Sequence, residues 1–262
     1  TRTGAVMDGA AAEHIREGLP VLASYCDVLG IRAFAAGTDL AADLADANFN
    51  AMAALVERPL INLESAINHP CQALADWKTL DELPGAARRK FVLSWVTHPK
   101  ALPLAVPAAT VHMAALRGME VVVLRPEGFA LPPQIMARAR RAAAASGGSV
   151  SETADRAAAL AGAHVLYAKE WGSTRHYGDA AADQELRRAH SDWCVRNDWF
   201  RHAAADCVLM HCLPVRRNCA VADEVPVGGQ GMRGQAELRQ RLVHGLGQVL
   251  ERVHESSVQI EE

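Results

Sequence analysis

Several residue types capable of acid, base or anion chemistry recur in this chain directly after short apolar runs. Arg32 follows Val28-Leu-Gly-Ile, and Glu64 follows Leu60-Ile-Asn-Leu with His69-Pro-Cys-Gln72 just beyond it. His98-Pro-Lys100 follows Phe91-Val-Leu-Ser-Trp-Val, Lys169 follows His164-Val-Leu-Tyr-Ala, and His211-Cys-Leu-Pro-Val-Arg-Arg217 follows Cys207-Val-Leu-Met. If the runs are parallel strands, these side chains gather at one sheet edge, where open α/β sheets bind their ligands. Arg, Lys and His together suit a small anion, and Glu, Gln and Cys add acceptors and a thiol. Each residue also has an ordinary reading. Arg32 and Lys169 fit solvated strand ends, Glu64 and His69 fit helix starts with Pro70 as first helical residue, His98 fits a structural imidazole and Cys212 a small buried apolar group.

The elements that must position these residues follow from the apolar period. Candidate strands span 28–32, 60–63, 90–96, 119–124, 164–168 and 207–210, most of them continuous apolar runs, as expected of strands covered on both faces. Ala-rich helical stretches lie between them at 42–56, 71–80, 108–117, 133–145, 152–161 and 192–203, with a last helix at 235–253. The fold class is α/β, with parallel sheets wound on both faces. Leu83-Pro84-Gly85 marks an internal boundary, 172–191 reads as a long excursion loop, and Gly228–Gly234 reads as a flexible connection. The expected units are 1–83, 84–230 and a terminal helix in 231–262.

Composition narrows the function. The 262 residues carry 27 basic and 30 acidic side chains with no basic block, which argues against a nucleic-acid binder. The apolar stretch 101–116 is broken by Pro103, Pro107 and His112, so it does not supply a membrane span. Six cysteines without a C-x-x-C pair fit a reducing cytoplasm, and the grouping of Cys207, His211, Cys212 and Cys219 lacks zinc-knuckle spacing. There is no G-x-G-x-x-G, no G-x-x-x-x-G-K-[ST] and no G-x-S-x-G, so nucleotide-binding and serine-hydrolase readings have no motif.

His69-Pro-Cys-Gln72 and His211-Cys-Leu-Pro214, with Arg32 ahead of them, resemble the H-P-x-Q and H-C-L-P motifs of the aspartate/ornithine carbamoyltransferases. Tyr167-Ala-Lys-Glu-Trp171 replaces the D-x-x-x-S-M-G segment of ordinary ornithine enzymes. With Val6-Met-Asp-Gly9, Thr97-His-Pro-Lys100 and Val215-Arg-Arg-Asn218 it resembles the N-acylornithine subgroup. Leu102–Pro107, Arg125–Phe129 and Ala220 resemble the succinyl-preferring members more than the acetyl-preferring ones. The likeness runs from about Gly4 to Val225. No full match to the family's S-x-R-T-R phosphate loop is present, with Thr1-Arg2-Thr3 either the end of that motif or unrelated to it, so either the protein is a fragment or part of it is not represented in this sequence.

The resemblance implies two α/β domains, the first incomplete and the second knotted, a homotrimer, and transfer of the carbamoyl group of carbamoyl phosphate to an N-acyl-L-ornithine without metal or organic cofactor. It implies that Arg32 and His69 stabilise the developing oxyanion, that Gln72 orients the carbamoyl NH₂, and that Arg216, or Arg217 in its place, adds a carbamoyl-phosphate contact. Glu64, His98 and Lys169 would hold the acylornithine, and the backbone carbonyls of Cys212 and Leu213 would receive its δ-amine. Two other readings use the same residues: a family member that binds an acylated amino acid or forms an oligomer without turnover, and an amidohydrolase with Cys212 as nucleophile.

Overall fold

The computed structural model describes residues 15–82 and 89–225. The expected boundary at Leu83-Pro84-Gly85, the segments around Gly4 and Gly228–Gly234, and the helix at 235–253 lie outside the described residues. The chain begins with α1 (Ile15–Ser24), then β1 (Leu29–Arg32), α2 (Leu40–Leu44), α3 (Ala47–Ala53), β2 (Leu60–Glu64) and α4 (Pro70–Glu82). It continues through β3 (Lys90–Trp95), α5 (Ala105–Leu116), β4 (Glu120–Leu124), α6 (Pro133–Ser146) and β5 (Ser149–Thr153). The described part ends with α7 (Arg156–Leu160), β6 (Val165–Lys169), α8 (Ala180–Arg188), a 3₁₀ turn at Asn197–Phe200 and β7 (Val208–Met210).

Among the described residues β1 and β2 form a two-stranded parallel sheet. Its register shifts between Ile31 and Arg32, so that Arg32 pairs with Glu64 and Leu63 is skipped. The second sheet is five-stranded, all parallel, in the order β5-β4-β3-β6-β7. The chain winds outward from β3 to β5 and then returns to β6 on the other side, so β3 and β6 flank the point where strand order reverses. Ligand crevices of open α/β sheets form there.

The core explains the alanine content. Helix α5 is buried almost all round, from Ala105 to Ala115, because it lies against the sheet with α4 and α6 beside it. Small side chains let these backbones approach closely. Helix α6 ends at Gly147, whose φ of 78° supplies the left-handed cap that reverses the chain into β5. Helix α4 spans the two sheets: its first turn follows β2, while Leu80 is fully buried in the core of the larger sheet and Trp77 packs against that core. Arg117, at the end of α5, stacks over Trp77 at 5.0 Å and donates to Asp81 at 2.6 Å.

Four sequence expectations are corrected. The helix expected at 42–56 is broken at Asp46, whose φ is 53° and whose carboxylate accepts from the Ser65 hydroxyl and the Ala66 amide. The segment expected to be helical at 192–203 forms only the 3₁₀ turn, because Val195 instead exchanges backbone hydrogen bonds with Ala220 and Ala222. The stretch 152–161 divides into the end of β5 and the shorter α7. The excursion at 172–191 contains α8, pinned by an Arg187–Asp183 ion pair at 2.7 Å whose two side chains are 3% and 4% exposed.

Candidate active site

The expected residues stand at the carboxyl ends of β1, β2, β3, β6 and β7 and at the start of α4. The β1–β2 register shift brings the Arg32 guanidinium onto Glu64 Oε2, through Nε at 3.0 Å and Nη2 at 2.6 Å. His69 Nε2 lies 3.6 Å from the same oxygen. Pro70 opens α4 at the position where its missing N–H costs nothing, and His69 caps the helix, its Nδ1 accepting from the Gln72 amide at 3.3 Å. A backbone N–H only donates, so His69 Nδ1 is the acceptor and Nε2 carries the proton. Burial lowers the imidazole pKa, opposed by Glu64 and reinforced by Arg32, which favours this neutral, Nε2-protonated form. One turn into the helix, Gln72 Nε2 donates to Asp76 Oδ1 at 2.9 Å.

After β3, the buried His98 accepts from Arg216 Nε at its Nε2, 2.9 Å away, and its Nδ1 meets the Lys100 carbonyl at 2.9 Å. The Lys100 amide also lies 3.1 Å from Nδ1, so both backbone groups of Lys100 hold that side of the ring while Nε2 accepts from arginine. Burial is the main cause that lowers the His98 pKa and keeps the ring neutral. Arg216 is thereby joined to an expected acylornithine contact. Its alternative, Arg217, is committed to the Ala222 and Val225 carbonyls at 3.0 and 2.8 Å.

Lys169 ends β6 opposite Trp95 of β3, at the point of strand-order reversal, and its ammonium lies 3.4 Å from Glu170 Oε1. Both side chains are buried. Burial alone would raise the Glu170 carboxyl, but His211 and Lys169 outweigh it and bring the pKa down to about 2. His211 Nε2 faces Glu170 Oε2 at 3.5 Å, while its Nδ1 accepts from the Leu213 amide at 2.9 Å. Leu213 has φ 48° and precedes a cis Leu213–Pro214 bond. A left-handed leucine is costly, and its neighbours must hold it there. Cys212 is not paired with His211, whose two nitrogens are turned to Glu170 and Leu213. Burial pushes its thiol up to about 11 against the pull of Lys169, the reverse of an activated nucleophile.

A cavity of about 270 Å³ opens on the same edge, between Ala35 and Gly37 after β1, Leu102 and Pro103 after β3, and His176 and Tyr177 after β6. None of the expected site residues lines it. The Tyr177 hydroxyl donates to Asp43 at 2.6 Å, and Asp43 also accepts from the Ala36 and Gly37 amides. Sequence reasoning did not assign Glu170, Asp76, Asp43 or Tyr177. Only Asp76 left a signal, its spacing of four from Gln72 on a helix.

The chain matches the description "Aspartate/ornithine carbamoyltransferase, carbamoyl-P binding domain" over residues 1–82 and "Aspartate/ornithine carbamoyltransferase, Asp/Orn binding domain" over residues 106–242. It belongs to the aspartate/ornithine carbamoyltransferase family. It is 34% identical over 228 residues to the N-succinylornithine carbamoyltransferase of Bacteroides thetaiotaomicron, covering 86% of this chain and 66% of that protein. It is 37% identical over 226 residues to the N-acetylornithine carbamoyltransferase of Xanthomonas campestris pv. campestris, covering 85% and 66%. A crystal structure of acetylornithine transcarbamylase complexed with acetylcitrulline matches with a TM-score of 0.82 at 35% identity, covering 92% of this chain and 72% of that one. The chain thus spans just under two thirds of the length of these curated relatives. Among the described residues no group of three His, Cys, Asp or Glu side chains suits a metal ion, and no helix is long and apolar enough to cross a membrane.

Proposed function

We propose that this family member transfers the carbamoyl group of carbamoyl phosphate to the δ-amine of an N-acyl-L-ornithine, giving N-acyl-L-citrulline and phosphate in arginine biosynthesis. N-succinylornithine is the favoured substrate and N-acetylornithine the next. The observation that carries the reading is the Arg32–Glu64–His69 group, in which a neutral imidazole offers Nε2–H beside a guanidinium held by a buried carboxylate. Two such donors suit a carbonyl oxygen that becomes an oxyanion.

The δ-nitrogen attacks the carbamoyl carbon, a tetrahedral intermediate forms, and the carbon–oxygen bond to phosphate breaks as the amine loses a proton. Alkylammonium groups ionise near pH 10.4, so the site must favour the neutral amine. The Cys212 and Leu213 carbonyls, fixed by the left-handed Leu213, are assigned to accept from it. Lys169 is assigned to the α-carboxylate, with His98 and Glu64 completing the acylornithine site. Arg32 and His69 polarise the carbonyl, Gln72 accepts from the carbamoyl NH₂, and Arg216 reaches the carbamoyl phosphate from its seat on His98. An acylated α-nitrogen carries no charge, which is consistent with a cation rather than a carboxylate as the strand-end residue of β6.

The domains assigned to carbamoyl phosphate and acylornithine are 1–83 and 84–230, and the assembly is a homotrimer. Six unpaired thiols support a cytoplasmic setting. The test is a ureido-product assay with carbamoyl phosphate and N-succinyl-, N-acetyl- or unmodified ornithine. Product chiefly from the succinyl substrate is expected. Product chiefly from the acetyl substrate reverses the acyl assignment, and ligand binding without product replaces the transferase with a binding protein.

A further inference from the structure

Beneath Gln72 lies a small polar floor inside an otherwise apolar core. Asp76, on α4, is 2% exposed. Its Oδ1 accepts from Gln72 Nε2 at 2.9 Å, while its Oδ2 makes no hydrogen bond of ordinary geometry. The Tyr167 hydroxyl of β6 and the Thr110 hydroxyl of α5 are also buried and without partners of ordinary geometry. These three oxygens lie next to one another, since the Tyr167 hydroxyl interacts with both Asp76 and Thr110. Buried oxygens from three elements that have only one another to meet are too costly to be incidental, because each forfeits its hydration on burial.

A glutamine amide has two nearly isosteric orientations, and its surroundings decide which end faces outward. Here the interior neighbour of Gln72 is a carboxyl oxygen. Oδ1 accepts whether Asp76 is ionised or carries its proton on Oδ2. In both states the Gln72 nitrogen is drawn inward and Oε1 is left for the cleft. We propose that Asp76 is a positioning residue that fixes the Gln72 amide with its oxygen outward, as the acceptor for the carbamoyl NH₂, and that Tyr167, itself met by Thr110, holds the far side of the Asp76 carboxyl. The assignment deepens the transferase reading and rests on it for the identity of the group Gln72 meets.

Chemistry on the far side is compatible with both charge states. Burial raises the Asp76 pKa to about 7, against the hydrogen bonds of Gln72 and Tyr167. The protonated acid donates from Oδ2 to the Tyr167 oxygen, and once it ionises the Tyr167 hydroxyl donates to Oδ2. The groups facing it are Gln72 on its own helix, Tyr167 on β6 and the Cys212 thiol beyond β7, with Thr110 of α5 behind Tyr167. None of these is a permanent charge, so the orientation of Gln72 is insensitive to titration.

The experiment compares Asp76→Leu, which keeps the volume and removes the acceptor, with Asp76→Asn, whose amide oxygen still accepts. The first readout is the Gln72 side-chain amide proton pair by NMR, assigned by its loss in Gln72→Ala. Slow solvent exchange is expected in the wild type and in Asp76→Asn, with exchange at least about tenfold faster in Asp76→Leu, as expected when a buried hydrogen bond is lost. The second readout is turnover. Asp76→Leu should lower kcat/KM about 10- to 100-fold, the scale of a misplaced substrate contact, with no further loss in a Gln72→Ala background and recovery in Asp76→Asn. Unchanged amide exchange, or losses that simply multiply with Gln72→Ala, overturns the proposal. Should Asp76→Leu not fold, Asp76→Ala carries the same readouts. Absence of turnover in the wild type would sink the transferase reading, while the amide readout decides the positioning alone.

Discussion

Replacing Arg187 with methionine tests how the loop leading into α8 is held. The guanidinium donates to Asp183 Oδ2 from Nε at 3.2 Å and Nη2 at 2.7 Å, and reaches the Trp171 carbonyl at 3.4 Å. It also lies over the Trp95 and Phe129 rings at 5.5 and 5.3 Å. Asp183 in turn accepts from the Ser173 amide at 2.7 Å, so the pair anchors the segment beside the cavity. With both side chains at most 4% exposed, Arg187→Met leaves a buried carboxylate without its cation. Breaking a buried pair from one side costs about 3–5 kcal/mol, and for a chain of this length that lowers Tm by roughly 5–10 °C. Urea unfolding at pH 7 measures the loss. The double variant Asp183→Asn, Arg187→Met should be more stable than Arg187→Met alone, since the amide oxygen still accepts from Ser173 without a charge. A loss below about 1 kcal/mol, the range of an exposed pair, or a double variant weaker than the single, refutes this account.

His69→Ala should cut kcat by a factor of roughly 10² to 10³, the usual effect of one oxyanion donor, as read in the ureido assay. Lys169→Ala should chiefly raise the KM for acylornithine, and equal losses in kcat from both variants would contradict the assigned roles. Cys212→Ser should retain turnover, because the backbone carbonyl and not the thiol is used; complete loss together with burst kinetics on an amide would favour a thiol hydrolase. Asp76 has a folded pKa raised from 3.8 to about 7, so its contribution favours folding at low pH and fades as pH rises from about 4 to 7. Unfolding free energy measured across that window should lose this slope in Asp76→Asn, and an unchanged slope would remove Asp76 as its source.

Legibility in the sequence followed burial. Strands β3, β4 and β6 are nearly or fully buried, so their apolar runs were visible. Strand β5 is an edge strand of Ser-Val-Ser-Glu-Thr, mostly in contact with water, and carries no such run. Asp46 and Val195 overrode helical periodicity through contacts remote in sequence, to Ser65 and Ala220. The positions of Arg32, His69, Lys169 and Leu213 at strand ends were legible, since placement needs only element boundaries. Their partners were not: Glu170 is one more residue after a strand until His211 arrives from β7, and Arg216 meets His98 across a long sequence gap.

Helix α4 gives the site a mechanical property. It starts at the His69 cap and Gln72, while its far end is clamped by Leu80 in the core and by Arg117 over Trp77. Thirteen residues at 1.5 Å each make a rigid arm about 20 Å long. If it pivots at the clamped end, a tilt of about 5° carries the other tip about 1.7 Å, more than the 1 Å error that can cost about 10²-fold in rate. Small rotations between the two sheets are therefore magnified where the reacting groups would meet. Substitutions at Trp77 or Arg117, whose clamp sits about 12 Å along the helix from His69, are expected to act on turnover through this tilt.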